Sequence, residues 1–134
     1  MDYINCVRGM YMILQKIDFI SHSGKLLDFK IECDALDESD WECAAYIIHK
    51  KIRFRKVFGV PRGGLKLSIP LAKYIEDDDT LPILIADDVF TTGGSMEEAR
   101  KQINEKNVIG VVLFARNETP DWISAVFQMW RHYD

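Results

Sequence analysis

From residue 56 to residue 115 the chain switches between two hydrophobic patterns. "KVFGV" (56–60), "ILIA" (83–86) and "VIGVVLFA" (108–115) are short and almost continuously apolar, as in strands buried on both faces. Between them, "LKLSIPLAKYI" (65–75) and "SMEEARKQINEK" (95–106) space their apolar residues for one side of a helix. Pro70 lies inside the first helix and predicts either a late start or a kink. Strand–helix–strand–helix–strand order indicates a parallel sheet with right-handed crossovers, an α/β fold.

Upstream, residues 2–16 place Ile4, Val7, Met10, Tyr11 and Leu14 on one side of an expected amphipathic helix. "HSGK" (22–25) reads as a turn. "LLDFKIE" (26–32) alternates apolar with charged residues, the pattern of a half-exposed strand. Ser39 with Glu42 forms a capping box opening a helix through Trp41, Ala44, Ala45 and Ile48, and Ser95 with Glu98 forms another. "EDDDTLP" (76–82) reads as a short, solvated acidic turn.

Composition narrows the function classes. At 134 residues the chain is the size of one domain. Its 48% hydrophobic and 28% charged residues fit a globular protein with a real core. A net charge of −4 argues against a generic nucleic-acid binder, which is usually basic. No apolar stretch approaches the ~20 residues that cross a bilayer, and the N-terminus lacks the basic lead and cleavage site of a secretory signal. Cys6, Cys33 and Cys43 show no metal-binding spacing, and their odd number fits a reducing compartment. We therefore expect a cytoplasmic protein without membrane or nucleic-acid partners.

The candidate chemistry lies after the second apolar run. "ILIA" leads into Asp87 and Asp88, and Thr91, Thr92, Gly93, Gly94 and Ser95 follow before the next helix. In open parallel sheets ligands bind beyond the carboxyl ends of the strands. Glycines let several amides there face one point and cradle an anion, and the helix dipole adds roughly 0.3–1 kcal/mol in favour of negative charge. Thr91, Thr92 and Ser95 add hydroxyl donors. The carboxylates are acceptors and would repel phosphate, so the pattern fits a ligand with phosphate at one end and hydroxyls or a cation at the other. A ribose 5-phosphate has that shape. A receiver domain needs more chain than residues 89–134 provide, and neither a Walker loop nor GxGxxG is present. A plain glycine turn beside solvated aspartates leaves the combination of acids and amides unexplained.

"ILIADDVFTTGGS" resembles the phosphoribosyl pyrophosphate (PRPP) motif of type I phosphoribosyltransferases, and "VFGVPRGGLKLSIPLA" is similar to that family's pyrophosphate loop. The resemblance implies a doubly wound parallel sheet in a single domain, with a core over 41–114 and a small hood from 1–40 and 115–134. It also implies displacement of pyrophosphate from PRPP by a nucleobase nitrogen, with Mg²⁺ as cofactor and a homodimer as assembly. Asp87 and Asp88 would be catalytic, holding the ribose and reaching the metal through water. Thr91, Thr92, Gly93, Gly94 and Ser95 would bind the 5-phosphate. Pro61, Arg62, Gly63 and Gly64 would bind pyrophosphate, with a non-proline cis peptide near Pro61–Arg62.

The acceptor base is signalled two ways. "FISHSGKLLDFKIECDAL" resembles the N-terminus of orotate phosphoribosyltransferases, whose lysine after Ser-Gly reaches base or pyrophosphate; here that is Lys25. Thr91 stands where purine enzymes usually carry an aspartate. "LFARNETPDWISAVFQMW" looks like the xanthine-guanine enzymes, which implies that Arg116 reads a 6-oxo group while Trp122 stacks on the purine and Ile123 offers backbone groups. On that balance a 6-oxopurine stands slightly ahead of orotate. The family usually inserts a long flexible lid before the PRPP strand, where this chain has only "EDDDTLP". A non-catalytic PRPP- or nucleotide-binding regulator is therefore the rival reading.

Overall fold

A computed structural model describes residues 13–15, 19–20, 26–27 and 29–129. The chain divides into two compact units, Met1–Glu38 and Ser39–Asp134. In the first, β1 (Leu14–Gln15) pairs antiparallel with β4 (Lys30–Ile31), and β2 (Phe19–Ile20) pairs antiparallel with β3 (Leu26–Leu27). Leu14 and Gln15 are thus extended, where the apolar spacing predicts the end of a helix; the rest of that expected helix and the 22–25 turn lie outside the described residues or at the bend of Ile13. The alternating 26–32 segment does supply extended chain, but split between two pairings.

The second unit is built on one four-stranded sheet of order β5-β6-β7-β8, parallel throughout. Its strands are β5 (Lys56–Gly59), β6 (Ile83–Phe90), β7 (Val108–Ala115) and β8 (Ile123–Gln128). The helices are α1 (Glu38–His49), α2 (Leu65–Leu71) and α3 (Gly94–Ile103). The α/β class and the parallel sheet expected from the hydrophobic pattern are observed. Side chains alternate along each strand, so Ile83 and Ile85 of β6 join Val108 and Val112 of β7 in one buried layer, closed by Met96 and Ala99 of α3. α1 buries the residues its spacing marks: Trp41, Ala44, Ala45 and Ile48.

Several boundaries differ from the sequence reading, each for a physical reason. β6 does not stop at Ala86: its ladder with β7 continues through Asp87↔Val112 to Phe90↔Ala115. Backbone pairing tolerates carboxylates that a hydrophobic pattern reads as a strand end. β8 lies in the stretch assigned to a hood, 115–134, but forms the sheet edge beside β7. α1 starts at Glu38, so Ser39 is inside the helix rather than capping it. α3 starts behind Gly93 with no side-chain cap, so Ser95 and Glu98 form no capping box. Pro70 does not delay α2, which starts at Leu65; the helix ends one residue after the proline and tightens into a 3₁₀ turn over Ala72–Tyr74.

Candidate functional site

In a parallel sheet all strands deliver their carboxyl ends to one edge, and here three segments meet there. β5 delivers the turn Pro61–Gly64, β6 delivers Asp87 and Asp88 followed by residues 91–93, and β7 delivers Arg116 and Asn117. Backbone hydrogen bonds fix the three together. The Val60 amide donates to the Ala86 carbonyl at 2.8 Å, and the Arg116 amide to the Phe90 carbonyl at 2.8 Å.

The acids are held tightly. The Asp88 amide donates to Asp87 Oδ1, and the Val89 amide to Asp88 Oδ1, both at 2.8 Å. Asp87 is only 8% exposed. Burial, together with the hydrogen bond and negative charge of Asp88, pushes its carboxyl from an ordinary 3.8 up to about 8. Asp87 therefore keeps its proton at neutral pH, since a buried carboxylate lacks solvent and is repelled by the neighbouring acid. A cation or hydroxyl donors would displace that proton. Among the described residues no three acidic, histidine or cysteine side chains cluster around a metal position. Two hard oxygen donors suit a cation such as Mg²⁺, which takes its remaining ligands from water and substrate oxygens.

The loop after β6 leaves its donors free. Gly93 takes φ 86°, a left-handed conformation that glycine adopts without steric cost, and α3 begins at Gly94. Among the described residues nothing accepts from the amides of Thr92, Gly93, Gly94 or Ser95. Four unspent amides thus stand at the start of a ten-residue helix, the supply of donors that an anion nest requires.

The Pro61–Gly64 turn is more selective than the sequence reading allows. The Pro61–Arg62 peptide bond is cis, as the resemblance implies. Pro61 has no N–H to donate, and the Gly64 amide is spent on the Val60 carbonyl at 2.8 Å. Only the amides of Arg62 and Gly63 remain unengaged among the described residues, with the exposed Arg62 side chain beside them. Gly63 lies against Asp88: a Cβ there would sit 2.1 Å from Asp88 Oδ2. The turn and the acid pair thus form one surface.

The residues expected to read the base do not all reach this edge. Arg116 does; it is 5% exposed at the end of β7. Ile123 pairs with Gly110, five residues before Ala115, and Trp122 precedes it. At ~3.3 Å per residue that places the pair about 16 Å from the ligand edge. Their polar groups are used elsewhere. The Gly110 amide donates to the Trp122 carbonyl, the Ile123 amide to the Pro120 carbonyl, and the Thr119 hydroxyl to the Ile123 carbonyl. The Trp122 indole donates to Glu97 at 2.9 Å and stacks under Arg100 at 4.6 Å. Trp122 is a packing residue between β8 and α3. Trp122→Ala should accordingly cost roughly 2–4 kcal/mol of stability and leave PRPP affinity within about twofold; chemical denaturation and calorimetry check this, and a binding loss without destabilisation would overturn it. Lys25 lies outside the described residues.

Asn117 was missed by sequence reasoning. Its Nδ2 donates to the Thr91 carbonyl at 2.7 Å, and Gln128 Nε2 donates to the Asn117 carbonyl at 3.1 Å. No motif marks either residue; only the return of β8 brings Gln128 to this edge.

Comparison with solved structures identifies the fold. Orotate phosphoribosyltransferase from Aeropyrum pernix superposes with a TM-score of 0.67 at 21% identity, over 94% of this chain and 93% of the other. This is the type I phosphoribosyltransferase fold. Orotate phosphoribosyltransferase from Francisella tularensis gives a TM-score of 0.58 at 17% identity, covering 94% and 85% of the two chains. UMP synthase from Leishmania donovani gives 0.68 at 14%, covering 95% of this chain and 36% of that one. No protein-family model and no curated protein matches the sequence. In the type I phosphoribosyltransferase fold seen here, β6 carries the acids and the β6–α3 loop carries the free amides.

Proposed function

We propose that the chain binds PRPP at the carboxyl edge of the sheet and transfers its phosphoribosyl group to a nucleobase with release of pyrophosphate. The observation that carries this is the run of unspent amides at residues 92–95 directly after the buried Asp87 and half-buried Asp88, with Asp88 lying against a second turn that has two unspent amides. Phosphate enters the nest, the ribose hydroxyls donate to Asp87 and Asp88, and the pyrophosphate meets Arg62 and Gly63. Mg²⁺, held through water by Asp87 and Asp88, would neutralise the charge that builds on the leaving group. The acid pair also favours positive charge developing at the ribose carbon as the bond to pyrophosphate breaks.

Orotate is the acceptor we favour, reversing the slight sequence preference for a 6-oxopurine. The stacking tryptophan that argued for a purine is packed against α3, while Arg116 stays at the ligand edge, where a cation suits the carboxylate of orotate. The neighbours in fold quoted above are orotate phosphoribosyltransferases or a UMP synthase. The test is pyrophosphate release from PRPP with orotate, hypoxanthine, guanine and xanthine. Turnover with orotate alone is expected, and turnover confined to purines would overturn the acceptor.

One observation favours the non-catalytic rival. Residues 75–82 are bonded at the opposite edge of the sheet: the Glu76 amide donates to the Phe54 carbonyl, the Arg55 amide to that of Pro82, and the Asn107 side chain to that of Thr80. That connection cannot close over the acids, and lids commonly exclude water during such chemistry. Tight PRPP binding with no pyrophosphate release from any base would select the regulator.

A further inference from the structure

We infer that Asn117, which belongs to neither ligand-binding motif, is a positioning residue that sets the direction of the Thr91–Thr92 peptide in the anion loop. The inference rests on reading residues 91–95 as a phosphate site. The Asn117 amide holds the Thr91 carbonyl at 2.7 Å. Residue 117 is itself held, because Gln128 Nε2 donates to the Asn117 carbonyl at 3.1 Å and to the Met129 carbonyl at 3.0 Å. The brace therefore runs from the end of β8, through residue 117, to the first residue of the loop.

The geometry of a trans peptide converts that brace into a binding property. The C=O of Thr91 and the N–H of Thr92 belong to one planar unit and point in opposite directions. Drawing the oxygen toward Asn117 sends the Thr92 N–H away from it, where no described residue accepts from it. With the peptide turned over, an anion would meet a carbonyl oxygen in place of a donor. The loop has little else to prevent this. Gly93 stands two residues on with φ 86° and tolerates either sign of φ, and no side chain caps α3. Thr91 and Asn117 are both half-buried, so their hydrogen bond competes with water less than a surface bond does.

A tie that merely strengthened the fold would move stability and all ligands together; a peptide-setting role is selective. The experiment measures calorimetric affinity of the full chain for ribose 5-phosphate and for Mg·pyrophosphate, with melting temperatures, for wild type, Asn117→Ala, Asn117→Leu and Gln128→Ala. Both Asn117 variants should lose about tenfold in ribose 5-phosphate affinity, consistent with one misdirected donor, while pyrophosphate affinity stays within twofold. The leucine keeps the branched skeleton without the donor and the alanine removes both, so a like loss in the two isolates the donor from packing. Gln128→Ala leaves the Asn117 side chain in place and should show the same selective loss, at about threefold. Unchanged ribose 5-phosphate affinity, or equal losses for both ligands, overturns the inference and leaves the phosphate reading standing. A wild type that takes up no ribose 5-phosphate overturns both.

Discussion

Asp87→Asn should make the protein more stable at pH 8 and nearly unable to bind PRPP. The two effects share one cause. The Asp87 carboxyl is raised to about 8 by burial and by Asp88, whereas in the unfolded chain it titrates near its ordinary value. The folded state therefore binds the proton more tightly. The contribution of Asp87 to stability is fullest below about pH 4 and is lost as pH rises toward 8, because the unfolded chain gives up its proton first. Asparagine cannot ionise, keeps an oxygen for the Asp88 amide and offers an N–H to the Asp88 carboxylate. The variant should gain about 1–3 kcal/mol at pH 8, the amount a buried carboxylate beside a second charge holds in reserve. In a melting experiment that is roughly 3–10 °C, with the gap closing as pH is lowered toward 4. Wild type melting above the variant at pH 8 would contradict it.

Binding runs the other way. In the proposed site ribose hydroxyls and a hydrated cation need an ionised Asp87, so Mg·PRPP must displace its proton. Wild-type affinity should rise by up to about tenfold per pH unit between 6 and 8 and flatten above. Calorimetry at pH 7 in buffers of different ionisation enthalpy should register release of close to one proton. Asp87→Asn removes both the proton and the acceptor; its affinity should fall roughly 100-fold, the scale of one or two charged hydrogen bonds, and lose its pH dependence. A site that is less stable than it could be is what a functional trade-off predicts.

How much of this was legible in the sequence depends on the range of the interaction. The strand–loop–helix unit around residues 83–103 is local: apolar run, acids, glycines and helix are contiguous, and the structure keeps their order. β5 and β7 were equally plain as apolar runs: β7 is buried on both faces, whereas β5 lies at a sheet edge with Lys56 and Phe58 exposed and is carried by its short apolar pattern alone. β8 was not, since it lies at the sheet edge with Ser124, Phe127 and Gln128 exposed, and its pattern reads neither as strand nor as helix. Missing β8 misplaced Trp122. A tryptophan following Arg116 in sequence looks adjacent to it, yet the chain must first descend the sheet before β8 climbs back. The Asn117 brace and the raised Asp87 carboxyl arise from tertiary contacts and burial, which no spacing encodes.

The adjacent glycines of the Pro61–Gly64 turn should give opposite results on substitution by alanine, and this separates what the turn does for the fold from what it does for the ligand. A Cβ at Gly64 would meet the Ala86 carbonyl oxygen at 2.4 Å and the Val60 nitrogen and oxygen at 2.6 Å. All three are backbone atoms at the junction of β5 and β6, so nothing can move aside without breaking the Val60–Ala86 hydrogen bond. Gly64→Ala should cost roughly 3–5 kcal/mol of stability, in the range of overpacked cores and broken backbone ties. The atoms nearest a Cβ at Gly63 all belong to the Asp88 carboxyl, at 2.1, 2.5 and 2.8 Å for Oδ2, Cγ and Oδ1. That group is the end of a half-buried side chain and can rotate away, so Gly63→Ala should cost about 1 kcal/mol or less. The rotation, however, removes Asp88 from the ribose and puts a methyl group where pyrophosphate approaches the Gly63 amide. PRPP affinity should fall roughly 30-fold or more, the scale of a lost charged hydrogen bond. Urea denaturation and calorimetry on the two variants check both halves. If Gly63→Ala bound PRPP like wild type, Asp88 and the turn would not share a ligand, and the surface assembled from β5 and β6 would have to be assigned to something else.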